Sequence, residues 1–193
     1  GGVVTALVTV RVLGEAAPGG SKNAMGVKRN GRYLTYPNGA PVINMFDDSK
    51  YGPQWRKTVA VYGRIAMRGA DMEVLREAIL VEADLYIPRP KGHYRTGKNA
   101  HMLRAGAPAY PACRPDATKL WRSTEDALIG IVWEADEAIV GQRVVKLYAD
   151  AKHAAGAVIR VYPATGGMEH LAGEWAWELR RREVQSLNTL EGS

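Results

Sequence analysis

The stretch CRPDATKLWRSTEDALIGIVWEADEAIV, residues 113–140, reads as a helix opening, a helix, and a turn that runs into a strand. Asp116 stands where an N-cap belongs, because a short acidic side chain there can accept from an otherwise orphaned backbone N–H of the first turn. From there Leu120, Trp121, Ala127 and Leu128 recur on one side of a 3.6-residue period, while Thr118, Arg122 and Glu125 line the other. The spacing predicts an amphipathic helix over 117–129. Glu134, Asp136 and Glu137 follow as an acidic turn before AIVGQRVVKLY, whose branched residues suit a strand. Taken singly, these acids are an N-cap and a solvated turn. Taken together they would converge on one site if the helix packed antiparallel to the next strand.

The flanking sequence supplies the rest of an α+β domain. A strand is expected over 3–12, ending near Gly14, followed by the loop APGGSKN. GRYLTY and PVINMF bracket PNGA as a hairpin. In SKYGPQWRKTVAVYGRIAMRG, Pro53 suits a first helical turn, and Trp55, Val59, Tyr62 and Ala66 share a face. The second half of VLREAILVEADLYI reads as a strand, since a helix should not run into IPRP. AGAVIRVYP closes the fold. The expectation is a single domain over 1–163, a mixed sheet packed against two main helices, with a C-terminal extension over 164–193 expected to be helical.

Composition narrows the chemistry. The chain has 193 residues and a formal charge of +6, enough for one well-buried core. The charge is concentrated. Residues 85–115 carry Arg89, Lys91, Arg95, Lys98, Arg104 and Arg114 with no acid, and residues 16–46 carry Lys22, Lys28, Arg29 and Arg32 with none. Acid-free basic loops beside a carboxylate cluster are what an enzyme acting on a polyanion needs; the plainer reading is a solvated basic loop. No apolar run spans a membrane, and a single cysteine, Cys113, allows no internal disulfide and fits a reducing cytoplasm. GEAAPGGSK lacks the lysine position of a phosphate-binding P-loop, and His93 and His101 match no common zinc spacing. Trp121 and Trp133 are expected in the core.

RPDATKLWRSTEDALIGIVWEADEAIV resembles the core of the RusA family of Holliday-junction resolvases: a Pro-Asp-x-Asp-Asn-Leu opening, a helix with Asp-Ala-Leu, then Asp-Asp and a strand. IPRPKGHYRTGKNAHMLRAGAPAYP upstream resembles the loop of actinobacterial and phage members. The resemblance covers about residues 80–150 well and 3–70 diffusely. It implies an Mg²⁺-dependent endodeoxyribonuclease, with Mn²⁺ as an acceptable substitute, nicking four-way junctions or other branched DNA as a homodimer in the cytoplasm of a bacterium, in recombination or repair and plausibly for a phage. By the same resemblance Asp116 and Asp136 are catalytic metal ligands, and Arg122 falls where the family has an active lysine. Thr118 and Ala135 stand where the family has aspartates; Glu134, Glu125 or Asp126 would then complete the metal set with Thr118. Arg89, Lys91, His93, Arg95, Lys98, Arg104, Lys22 and Lys119 are the expected DNA contacts. Two alternatives stay open: a catalytically weakened junction-binding protein, and a metal-independent RNA- or single-strand-binding module stacking bases on Tyr94 and Tyr110.

Overall fold

The computed structural model describes residues 5–19, 22–47 and 50–164. Its centre is a nine-residue strand, β6 (Ile79–Ile87), buried along almost its whole length. Apolar residues on both of its faces mark it as an interior strand of the sheet. β6 pairs parallel with β7 (Ile139–Tyr148) on one side and antiparallel with β8 (Gly156–Pro163) on the other. β8 in turn pairs antiparallel with β1 (Val8–Leu13), giving the order β1-β8-β6-β7. The two closing strands expected from the sequence are therefore both present, yet they flank β6 rather than each other.

A parallel β6–β7 pair requires a crossover, and the segment between them contains α2 (Ala117–Asp126). α1 (Gly52–Gly69) opens with Pro53 in its first turn and buries Trp55, Val59, Gly63 and Met67. Tyr62 and Ala66 pack against the core from the same helix. Gly63 leaves room for the segment that follows α2: a Cβ there would meet Leu128 Cδ2 at 2.7 Å and Ile131 Cγ2 at 3.2 Å. The two helices are also joined through a buried hydrogen bond from Trp55 Nε1 to Thr124 Oγ1, 3.0 Å, while the Thr124 hydroxyl donates to Leu120 O.

Alternation along β6 sends Val81, Ala83 and Leu85 into the same core as Leu120, Trp121, Leu128 and Trp133. Fully burying an aliphatic side chain such as Leu120 or Leu128 stabilises by about 1.5–3 kcal/mol. Trp121 and Trp133 are core residues, as expected. The alternate positions of β6 carry acids that find cations on the neighbouring strands. Asp84, 8% exposed, accepts from Arg160 Nη1 at 2.8 Å, and Glu82 stands 3.9 Å from Arg143 Nη1. Burial pulls the Arg160 pKa down, but the hydrogen bond and charge of Asp84 outweigh it.

Residues 22–47 form an arm outside this sheet. β2 (Lys22–Gly26) pairs with β5 (Ile43–Asp47), and β3 (Lys28–Arg29) with β4 (Arg32–Tyr33). The turn at 37–40 is present, with Thr35 bridged to Pro41, but β5 then leaves β4 for β2. The loop expected at APGGSKN thus gives way to strand at Lys22. α2 is shorter than expected: it ends at Asp126, and Gly130 turns the chain at φ 71°. The helix expected beyond residue 164 lies outside the described residues.

Candidate active site and basic loop

α2 starts as its sequence requires. Asp116 is extended (φ −71°, ψ 158°), and its Oδ1 accepts from Lys119 N at 2.8 Å. Lys119 Nζ lies 4.0 Å from Asp116 Oδ2, an exposed pair of small energetic weight. The segment leading into this cap is held from the sheet. Lys146 donates from Nζ to Cys113 O and Pro115 O (2.8 Å for the latter). Lys146 stands opposite Leu85 in register, on the helix-covered face of β7. Together with Pro111, Ala112, Arg114, Asp116 and Ala117 it lines a cavity of about 660 Å³.

The opposite end of α2 carries the second group of acids. Glu125 is half-buried and burial raises its carboxyl above the ordinary range; Asp126 and Asp136 push it further up, and Arg122 opposes them. Arg122, Glu125 and Asp136 thus share one electrostatic neighbourhood. Thr118 and Arg122 are exposed on the same stripe one turn apart. Asp136 opens a short turn, Asp136–Ala138, immediately before β7. Trp121 Nε1 donates to Gln142 Oε1 at 2.7 Å, midway along the helix. With Lys146 meeting the start of α2 and Asp136 near its end, α2 runs antiparallel to β7. Asp116 and Glu125 are nine residues apart, roughly 13–14 Å along the axis. The antiparallel packing expected from the sequence is present, with Asp116 at one end of α2 and Glu125 at the other. Glu134 faces elsewhere, 3.5 Å from Arg76 Nε, with its N–H on Leu75 O.

The long loop after β6 is braced by its own basic residues. Arg89 donates to Pro108 O at 2.9 Å and stacks over the Tyr148 ring at 4.0 Å. His93 meets that ring edge-on. Arg95 Nε donates to Leu103 O and Arg104 Nε to Tyr94 O, across a bridge between Tyr94 and Leu103. Each of these arginines holds the loop with one guanidinium N–H. Lys91 and Lys98 are exposed on short turns, Lys91–His93 and Gly97–Asn99. Lys22 lies at the start of β2.

Sequence reasoning missed Lys146. A single lysine in VVKLY looks like an exposed alternation, and only the parallel register with β6 turns it towards the loop.

Among the described residues no three His, Cys, Asp or Glu side chains stand together as a metal cage. A preformed three-carboxylate site is therefore not what these side chains make. A hydrated Mg²⁺ needs no such cage, since it commonly takes one or two carboxylates and completes its shell with water and substrate phosphate.

The chain thus combines an α+β fold and a parallel βαβ unit with a polar helix stripe ending in carboxylates and an acid-free basic loop. The sequence profile of the family described as Endodeoxyribonuclease RusA matches residues 17–162, and the chain belongs to that family. Its members are endodeoxyribonucleases of Holliday junctions and generally depend on a divalent metal. A comparison with curated proteins found no match. No described helix is long and apolar enough to cross a membrane.

Proposed function

We propose that this chain is a structure-selective endodeoxyribonuclease that cuts four-way DNA junctions as a homodimer, with Mg²⁺ or Mn²⁺ bound. The observation that carries the reading is the family match across residues 17–162, to which Arg122 and Glu125 on α2 and Asp136 in the turn before β7 add a set of interacting charges. Asp136 and Glu125 would hold the ion, and Thr118 offers a neutral oxygen on the same stripe. The bound ion would supply charge neutralisation and an activated water.

The chain's own residues do the rest. Arg122 is one turn from Thr118 and can grip two oxygens of the scissile phosphate, orienting it over the stripe. Lys91 and Lys98, exposed and able to reach outward, take flanking phosphates, while Arg89, Arg95 and Arg104 keep the loop in shape. Lys119 at the first turn of α2 extends the positive track. Asp116 would act from the far end of the helix, through the cap and the Cys113–Pro115 segment. Two-fold symmetry in a homodimer would match the two opposed strands of a junction.

Asp136→Asn should abolish junction cleavage while leaving junction affinity within about threefold, since the change removes one acid and leaves every phosphate-binding cation in place. Cleavage at the wild-type rate would reject the assignment. A second reading is a junction-binding protein with weakened catalysis, favoured by Thr118 and Ala135 at family aspartate positions. It requires tight junction binding with no cleavage by the wild type at any divalent concentration.

A further inference from the structure

The arm of residues 22–47 carries features that nuclease chemistry leaves unused. Every described residue from Lys28 to Pro41 is exposed, an unusual condition for a stretch holding Tyr33, Leu34 and Tyr36. Tyr33 is 61% exposed and Tyr36 55%. The arm is nevertheless built with care. Asn30 and Gly31 both take positive φ, 50° and 79°, the tight turn that matches strand twist. At the second turn Gly39 has φ 80°, Gly39 N donates to Tyr36 O at 2.8 Å, and Asn38 Oδ1 accepts from Ala40 N.

Tyr33 is held in orientation. A Cβ on Gly26 would lie 2.8 Å from the Tyr33 ring, so the ring edge occupies the space that glycine leaves. Lys28 Nζ lies 4.4 Å from the ring centroid. An exposed ring fixed by its neighbours loses little entropy on stacking with a partner. Lys28, Arg29 and Arg32 share its hairpin, Lys28 opposite it and Arg29 paired with Arg32, and residues 16–46 contain no acid.

We propose that this arm is a second DNA-contacting element, whose Tyr33 and Tyr36 stack on unpaired or unstacked bases at the branch point while Lys28, Arg29 and Arg32 hold the adjoining phosphates. The chemistry argues for nucleic acid over a second copy of the chain. Two such arms, each with four cations (Lys22, Lys28, Arg29 and Arg32) against the single acid Asp47, would bring like charges together. It also argues for a branch over plain duplex, whose base faces are already occupied within the stack, whereas every base freed at a branch offers a face to an aromatic ring. The inference rests on the reading of the chain as a junction-binding protein.

The test compares affinity for a synthetic four-way junction and for linear duplex of equal length, in chelator to prevent cutting. Wild type is set beside the double variants Tyr33→Leu/Tyr36→Leu and Tyr33→Phe/Tyr36→Phe, each checked by thermal melting. Leucine keeps apolar bulk without a flat ring; phenylalanine keeps the ring. The leucine pair should lose about tenfold or more in junction affinity with duplex affinity nearly unchanged, and the phenylalanine pair should bind as wild type. Independently, Lys28→Gln/Arg29→Gln/Arg32→Gln should weaken binding and flatten its salt dependence, by about 0.9 in slope for each phosphate no longer neutralised. A leucine pair that keeps the wild-type junction preference overturns the arm's role alone. So does one that binds normally but shifts from dimer to monomer in sedimentation, which would assign the arm to a second copy. A wild type with no preference for the junction overturns both this inference and the functional reading beneath it.

Discussion

Asp116 shows how a cap and a candidate ligand can be told apart at a single side chain. Its Oδ1 already accepts from Lys119 N, so replacement by alanine should cost about 0.5–2 kcal/mol of stability. Asparagine caps equally well, and Asp116→Asn should melt within a degree or two of wild type. If the asparagine variant also left cleavage intact, the residue would be a cap and nothing more; loss of cleavage at unchanged melting temperature assigns it to the chemistry. Glu125 offers a second reading through pH. Its carboxyl is raised above its unfolded value, so the protein is relatively stabilised at low pH and loses that contribution as pH rises through the folded pKa. Glu125→Gln, melted in chelator, should therefore gain on wild type towards neutral pH and match it in acid. A difference independent of pH would show that the raised pKa has no weight in folding. The polar stripe of Thr118, Arg122 and Glu125 was legible because a 3.6-residue period needs no tertiary knowledge. The end of α2 at Asp126 and its lie along β7 were not, because both depend on tertiary packing.

At the scale of elements, α1, α2 and β6 are the parts most plainly written in the sequence. Each combines a local start or stop signal with a consistent period: Pro53 in the first turn of α1, Asp116 before α2, and Pro88 ending β6. β2 was not legible, since Ser-Lys-Asn is a loop by composition and becomes strand only by pairing with β5 about twenty residues on. The order of β7 and β8 around β6 was equally hidden, because adjacency in sequence ordinarily favours pairing. The joint between α1 and α2 is open to direct test. Thr124 accepts from Trp55 Nε1 inside the core, and Thr124→Val would keep the shape while removing the acceptor. The orphaned indole N–H should cost about 1–3 kcal/mol. Trp55→Phe in the same background removes the donor as well and should recover part of that loss, allowing for the smaller ring. Additive losses in the double variant would mean the bond contributes little.

For the whole molecule, the mixed sheet puts both helices over one face and leaves α2 as the element on which the candidate chemistry is arranged. The basic loop leaves the end of β6, folds on Tyr148, and returns to the cap of α2 through Lys146. The arm projects from the same domain. The candidate substrate contacts thus fall on one helix and two segments rich in cations, residues 85–115 and 16–46. The most direct measurement is a cleavage assay on a synthetic four-way junction and on linear duplex of the same sequence, with Mg²⁺ titrated from chelator upward. Paired nicks in opposed strands of the junction, dependent on Mg²⁺ and at least tenfold faster than any cut in the duplex, are the expected result. Equal cutting of both substrates, or an intact junction at every Mg²⁺ concentration, would contradict it.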